Sequence, residues 1–221
     1  MSAGSFRSNR GETMVEVLIA LTVLIIGAMG SLRLLGVAGV NNQLTKERVL
    51  ATNLSREGIE AVRNIRDTNW LRFAGERRIC WNNLDTTACS DVDNDGVADS
   101  PIRNNQAYLA VSNTDTYRWQ LSSGSISNRL NLDDSEISSD AIYRLKLDPA
   151  TGLYNHNTGE DSPYYREIYT EYLNADQTAA SGTSANILRI TSRVQWVDRG
   201  KISEVTLTTI LTDYLARQNH D

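Results

Sequence analysis

The sequence predicts an α+β protein: one long N-terminal helix, its first half suited to a membrane, followed by a C-terminal antiparallel β-sheet. Three observations carry that expectation. Met14 to Val40 is almost wholly apolar. A three- and four-residue hydrophobic period continues beyond it to Ile65, with no proline before Pro101. Residues 141–221 then turn to short runs of β-branched and aromatic residues with two-residue alternation.

Taken in order, residues 1–11 are polar, carry Arg7 and Arg10 with no acid, and end at Gly11 immediately before the apolar run. This is the reverse of an ordinary secretory signal, where cleavage follows the apolar region. The small residues Gly27 to Ser31 leave conventional cleavage after the run open as an alternative. Val17 to Leu32 carries no charge but is shorter than the roughly 20 residues that span a bilayer. Arg33 interrupts it, yet its long stem can snorkel, and Leu34 to Val40 is apolar again. The segment 12–40 therefore reads as the membrane half of a helix, with the basic leader cytoplasmic and everything after the helix exported. Residues 41–66 read as its amphipathic half. Leu44, Ala51, Leu54, Gly58, Ala61, Val62 and Ile65 recur at helical steps, and charged residues occupy other faces. A straight helix of that extent would be about 75–80 Å long.

One carboxylate, Glu16, lies just inside the apolar run, where a charge is costly in lipid. The order of basic leader, Gly11, then Glu12-Thr13-Met14-Val15-Glu16-Val17-Leu18-Ile19-Ala20-Leu21 resembles the prepilin processing motif of type IV pilins and of the pseudopilins of type II secretion. The resemblance implies that a prepilin peptidase cuts after Gly11 and methylates the new terminus at Glu12. It gives Glu16 the role of meeting the terminal amine of a neighbouring subunit during assembly. It also implies a sheet packed on the outer half of the helix. The protein would be a non-enzymatic filament subunit, held as a single-pass protein of the inner membrane and then assembled outside the cytoplasm, with other pilin or pseudopilin subunits and an inner-membrane assembly platform as partners. Two positions depart from the family pattern. Glu12 stands where phenylalanine is usual, and Arg33 where a helix-kinking proline is frequent, which favours a minor or specialised subunit over a major one. The competing class is a membrane-anchored exported binding protein that forms no filament.

Residues 67–140 are rich in Asn, Asp, Ser and Thr, with short apolar pieces at Ala107–Val111 and Tyr117–Leu121; residues 123–140 read as a surface loop or short-strand connection. Cys80 and Cys89 are the only cysteines, and the expected topology exports both, so a disulfide is the leading reading. Neither His156 nor His220 has a neighbour at ligand spacing, which disfavours a zinc site. Directly after Cys89, Asp91, Asp93 and Asp95 stand at loop positions one, three and five. Gly96 permits a sharp turn, Val97 can offer a carbonyl, and Asp99 falls at position nine. This resembles the Ca2+ loops of EF-hands, dockerins and thrombospondin type 3 repeats, except that Ile102 replaces the bidentate glutamate at position twelve. The alternative is an Asp/Asn-rich turn.

In residues 141–221 the expected strands are Ile142–Leu147, Tyr164–Leu173, Ile187–Val197 and Lys201–Leu211, the last two joined by a hairpin at Asp198-Arg199-Gly200. Leu188, Ile190, Ser192, Val194 and Trp196 share one strand face, and Trp196 reads as core. The net charge of −5, a pI near 5.1 and the lack of a basic run argue against a direct nucleic-acid site. No G-x-S-x-G, H-E-x-x-H or phosphate-binding glycine loop supports an enzyme.

Overall fold

The computed structural model describes residues 12–84, 88–113, 118–122, 126, 128–132, 139–183 and 186–213. Backbone contacts divide the chain into two units, residues 1–48 and 49–221. One helix, α1 (Glu12–Arg72, 61 residues), runs through the boundary. It ends six residues beyond the expected Arg66, because Asn69 and Trp70 continue the buried stripe. In the first unit the described side chains of α1 are exposed from Met14 to Lys46, Leu44 among them, apart from a partly buried Glu47.

The second unit joins the rest of α1 to an antiparallel sheet. Its remaining elements are α2 (Arg77–Cys80), β1 (Gln106–Asn113), β2 (Arg118–Ser122), a 3-10 turn (Ser139–Tyr143), β3 (Arg144–Leu147), β4 (Tyr154–Asn155), β5 (Glu160–Leu173), β6 (Ile187–Asp198) and β7 (Lys201–Thr212). β5 is the centre of the sheet. One of its edges pairs with β6 from Tyr164↔Trp196 to Leu173↔Ile187, and β6 pairs in turn with β7. Its other edge is shared by β1, through Gln106–Tyr108, and β3; β2 and β4 extend those two. The β6–β7 hairpin is where it was expected; Asp198 pairs with Lys201, so its loop is the two residues Arg199 and Gly200 at φ 50° and 76°, the left-handed pair that a right-twisted ribbon favours.

Two expectations change here. Ile142 and Tyr143 belong to the 3-10 turn, so β3 begins at Arg144. The sheet also reaches back before residue 141 to take in β1 and β2, placing its first strand soon after the cysteine pair.

α1 packs on the inner face of the sheet because its apolar stripe matches the stripe on β6. Ala51 and Leu54 meet Val194 and Trp196; Ala61, Val62 and Ile65 join Leu188, Ile190 and Ile168. Gly58 sets the closest approach: a Cβ there would lie 2.5 Å from Ile168 Cδ1 and 2.6 Å from Ser192 Oγ. One turn earlier, the Ser55 hydroxyl donates to the Ser192 carbonyl at 2.8 Å. The outer face carries a second cluster, in which Leu130, Leu132 and Tyr143 cover Ala107, Leu109 and Tyr165. The strap 128–132 that supplies these leucines is thus part of the fold, not a surface loop.

Candidate functional site

The first candidate is the exposed apolar segment of α1. An 18-residue window of this helix has a mean hydropathy of 2.3 and none of it is buried, which makes it a candidate membrane anchor by length and composition. The hydroxyls within it are satisfied locally. Thr22 Oγ1 donates to the Leu18 carbonyl at 2.7 Å and Ser31 Oγ to Gly27 at 2.9 Å, so neither asks anything of the surroundings. Glu12 is the first residue of the helix, and Gly11 lies outside the described residues. Glu16 is exposed one turn in, and Arg33 is exposed further along the same segment.

The second candidate is the acidic loop, built on a firmly seated base. Cys80 and Cys89 form a disulfide with Cα atoms 6.0 Å apart, as expected. Buried Trp81, Ala98 and Ile102 hold the segment's two ends in the core. The Leu84 N–H donates to the Ser100 carbonyl and the Ile102 N–H to Asn82, both at 2.8 Å. Asn82 Nδ2 donates to the Tyr172 hydroxyl at 2.6 Å, tying this base to β5. Burial holds the Tyr172 phenol far above its ordinary pKa, and the Asn82 hydrogen bond pulls it back only in part.

On that base the chain turns back on itself. Asp91 accepts the Asp95 N–H on one carboxylate oxygen and the Gly96 N–H on the other, both at 3.1 Å, while Asp95 accepts the Val97 N–H at 2.8 Å. Gly96 sits at φ 83°, as the expected turn requires. The result brings carboxylate oxygens of Asp91, Asp93 and Asp95 within 4.8 Å of one another. Asp99 is not part of this cluster. Its two oxygens accept from Ser90 Oγ and the Val92 N–H, so it closes the loop beside the trio. A cavity of about 240 Å3 lies between the disulfide, Glu76 and the Asp91 and Asn94 end of the loop. Three oxygens of hard carboxylates at this spacing can converge on a divalent cation of the Ca2+ type.

Sequence reasoning missed the charged pairs that hold the sheet. Arg166 is fully buried on β5, where it donates to Glu57 at 2.8 Å, to the Leu54 carbonyl at 3.2 Å and to Ala110 at 3.1 Å. On the opposite face Glu167, also fully buried, accepts from the Leu130 N–H at 2.9 Å, Arg129 at 3.1 Å and Arg193 at 3.0 Å, fastening the strap. Nothing in a Tyr-Arg-Glu-Ile run marks two adjacent buried charges; only the length of the uninterrupted strand pattern hints that both faces are covered. His156, whose ring nitrogens are buried, has its pKa pushed down to about 3, first by burial and then by the Arg166 charge.

Fold and sites together define an α+β protein with one long N-terminal helix packed on an antiparallel sheet, a candidate membrane anchor in that helix and a disulfide-based acidic loop. Comparison with family models, with curated proteins and with solved structures found no match.

Proposed function

We propose that the chain is a pilin-like subunit of an extracytoplasmic type IV pilus or secretion pseudopilus. It is cut after Gly11, anchored by the first segment of α1, and assembled through that segment. The observation that carries this reading is the placement of the prepilin-like motif at the start of a helix whose first segment is apolar and fully exposed. An apolar surface of that extent needs lipid or other helices to cover it, and a filament core supplies the second where a membrane supplies the first. A short-lived anchor alone would not need Glu16. In an assembly the carboxylate meets the positive terminus of a neighbour, and removing either partner strands the other.

Two substitutions test the reading in cells that carry the assembly apparatus. Gly11→Leu is expected to leave uncut protein in the membrane. Glu16→Ala is expected to be cut normally yet lost from sheared filaments. Normal incorporation of the Glu16→Ala chain would contradict the assembly role.

The acidic loop we assign to Ca2+, held by Asp91, Asp93 and Asp95, supported by the spacing of their oxygens. Its role is structural: neutralising carboxylates that otherwise repel, and stiffening the exported unit.

A further inference from the structure

Between Met14 and Thr45 the helix carries only two charges, Glu16 and Arg33, and they are of opposite sign. Both are exposed, and among the described residues neither side chain makes a hydrogen bond or ion pair. They cannot meet within one chain. Seventeen positions separate them, about 25 Å along the axis and roughly 100° around it.

We propose that Glu16 of one copy pairs with Arg33 of a second, parallel copy, so that neighbouring helices in the assembly are staggered by about 25 Å. The inference rests on the membrane-assembly reading and adds to it a second partner for Glu16, from this chain's own sequence. Charge decides the geometry. Side by side without a stagger, parallel copies would place Glu16 against Glu16 and Arg33 against Arg33 in an apolar surround, where like charges repel strongly. An antiparallel pair would match the charges, but it needs opposite insertion of two copies with the same basic leader. A parallel pair shifted by the Glu16–Arg33 spacing gives Arg33 an opposite charge from a neighbouring copy, beside the terminal amine that the assembly reading gives Glu16.

The surface around Arg33 suits close approach. Gly30 and Gly36 lie about one turn before and after it, and each has nothing within 4 Å of where a Cβ would point. A neighbouring backbone can therefore come near enough for the guanidinium to reach a carboxylate bidentately. Because the two charges face different directions, each copy offers Glu16 to one neighbour and Arg33 to another. Such a contact does not close on a pair and propagates as an open array.

The test uses two differently tagged forms of the full chain, co-expressed with the assembly apparatus and recovered in sheared filaments, one with Ala20→Cys and one with Val37→Cys. Each position lies one turn beyond its charge on nearly the same face, both are exposed, and Cys80 and Cys89 are already joined to each other. On mild oxidation the 20–37 product is expected to exceed the 20–20 and 37–37 products several-fold. Arg33→Glu in the Val37→Cys chain should remove it, and Arg33→Lys should keep it. Dominance of the 20–20 product, or a 20–37 product indifferent to Arg33→Glu, would overturn the stagger. Intact mass of the same material separates the two ideas. Chains that begin at Glu12 but cross-link 20–20 keep the pilin reading and lose the stagger; chains that begin at Met1 but cross-link 20–37 do the opposite.

Discussion

At the scale of single residues, the fold depends on charges buried with their partners. Glu167 has no access to solvent and is the common acceptor for a backbone N–H and two guanidinium groups. Glu167→Ala should therefore destabilise the second unit by about 3 kcal/mol, since the donors are left buried without it. Urea unfolding of a soluble fragment lacking residues 1–40 measures this; a loss under about 1 kcal/mol would mean that the strap is held by its leucines alone. His156 makes a pH prediction. Its folded pKa of about 3 lies below the ordinary 6.5, so as pH falls the unfolded chain takes up the proton first. The stability conferred by the neutral ring is fully present above about 6.5 and drains away as pH drops toward 3. His156→Gln should flatten that slope between pH 6.5 and 3 in the same unfolding assay. Little of this was readable beforehand. The cysteine pair was, because two cysteines in an exported segment have few alternatives, whereas an arginine inside a strand reads as a solvent-facing residue until the helix that covers it is in place.

At the scale of elements, the helix and the last two strands were the most legible parts. Their periods are long, uninterrupted and tied to a single buried face, and a two-residue turn fixes the register of β6 and β7. β1 and β2 were legible only as apolar fragments, since each is short and set among polar loop residues. The strap escaped because its anchor, Glu167, lies 37 positions away from Leu130. Where α1 crosses β6, Gly58→Leu should cost about 1–3 kcal/mol through overpacking against Ile168 and Ser192. That outweighs the roughly 1 kcal/mol a better helix former gains. For the acidic loop, Ca2+ at a hundredfold excess over its dissociation constant should stabilise the oxidised fragment by about 2.7 kcal/mol. Asp93→Ala should abolish most of that gain, and reduction of Cys80–Cys89 should weaken the ion's affinity more than it unfolds the sheet. An unchanged midpoint in millimolar Ca2+, with no ion retained in native mass spectrometry, would leave the loop a polar turn. Asp99, expected at position nine directly or through water, also closes the loop through Ser90 and Val92, a contact that no spacing rule could reveal.

At the scale of the whole molecule, the chain combines an apolar helical segment that is exposed among the described residues and a sheet unit that buries its own core. The layout was legible because hydropathy divides the sequence the same way. The assembly it serves rests on a short motif at the boundary between leader and helix. The pairing of Glu16 with a neighbour's terminal amine requires that Glu12 become the N-terminus while the apolar segment is kept. The most direct measurement is therefore the intact mass and N-terminal sequence of the protein isolated from its native membrane or filament. The account predicts a chain starting at Glu12, with its terminal amine methylated and residues 12–40 retained. A chain starting at Met1 in assembled material, or near Ser31 after loss of the apolar segment, would contradict it.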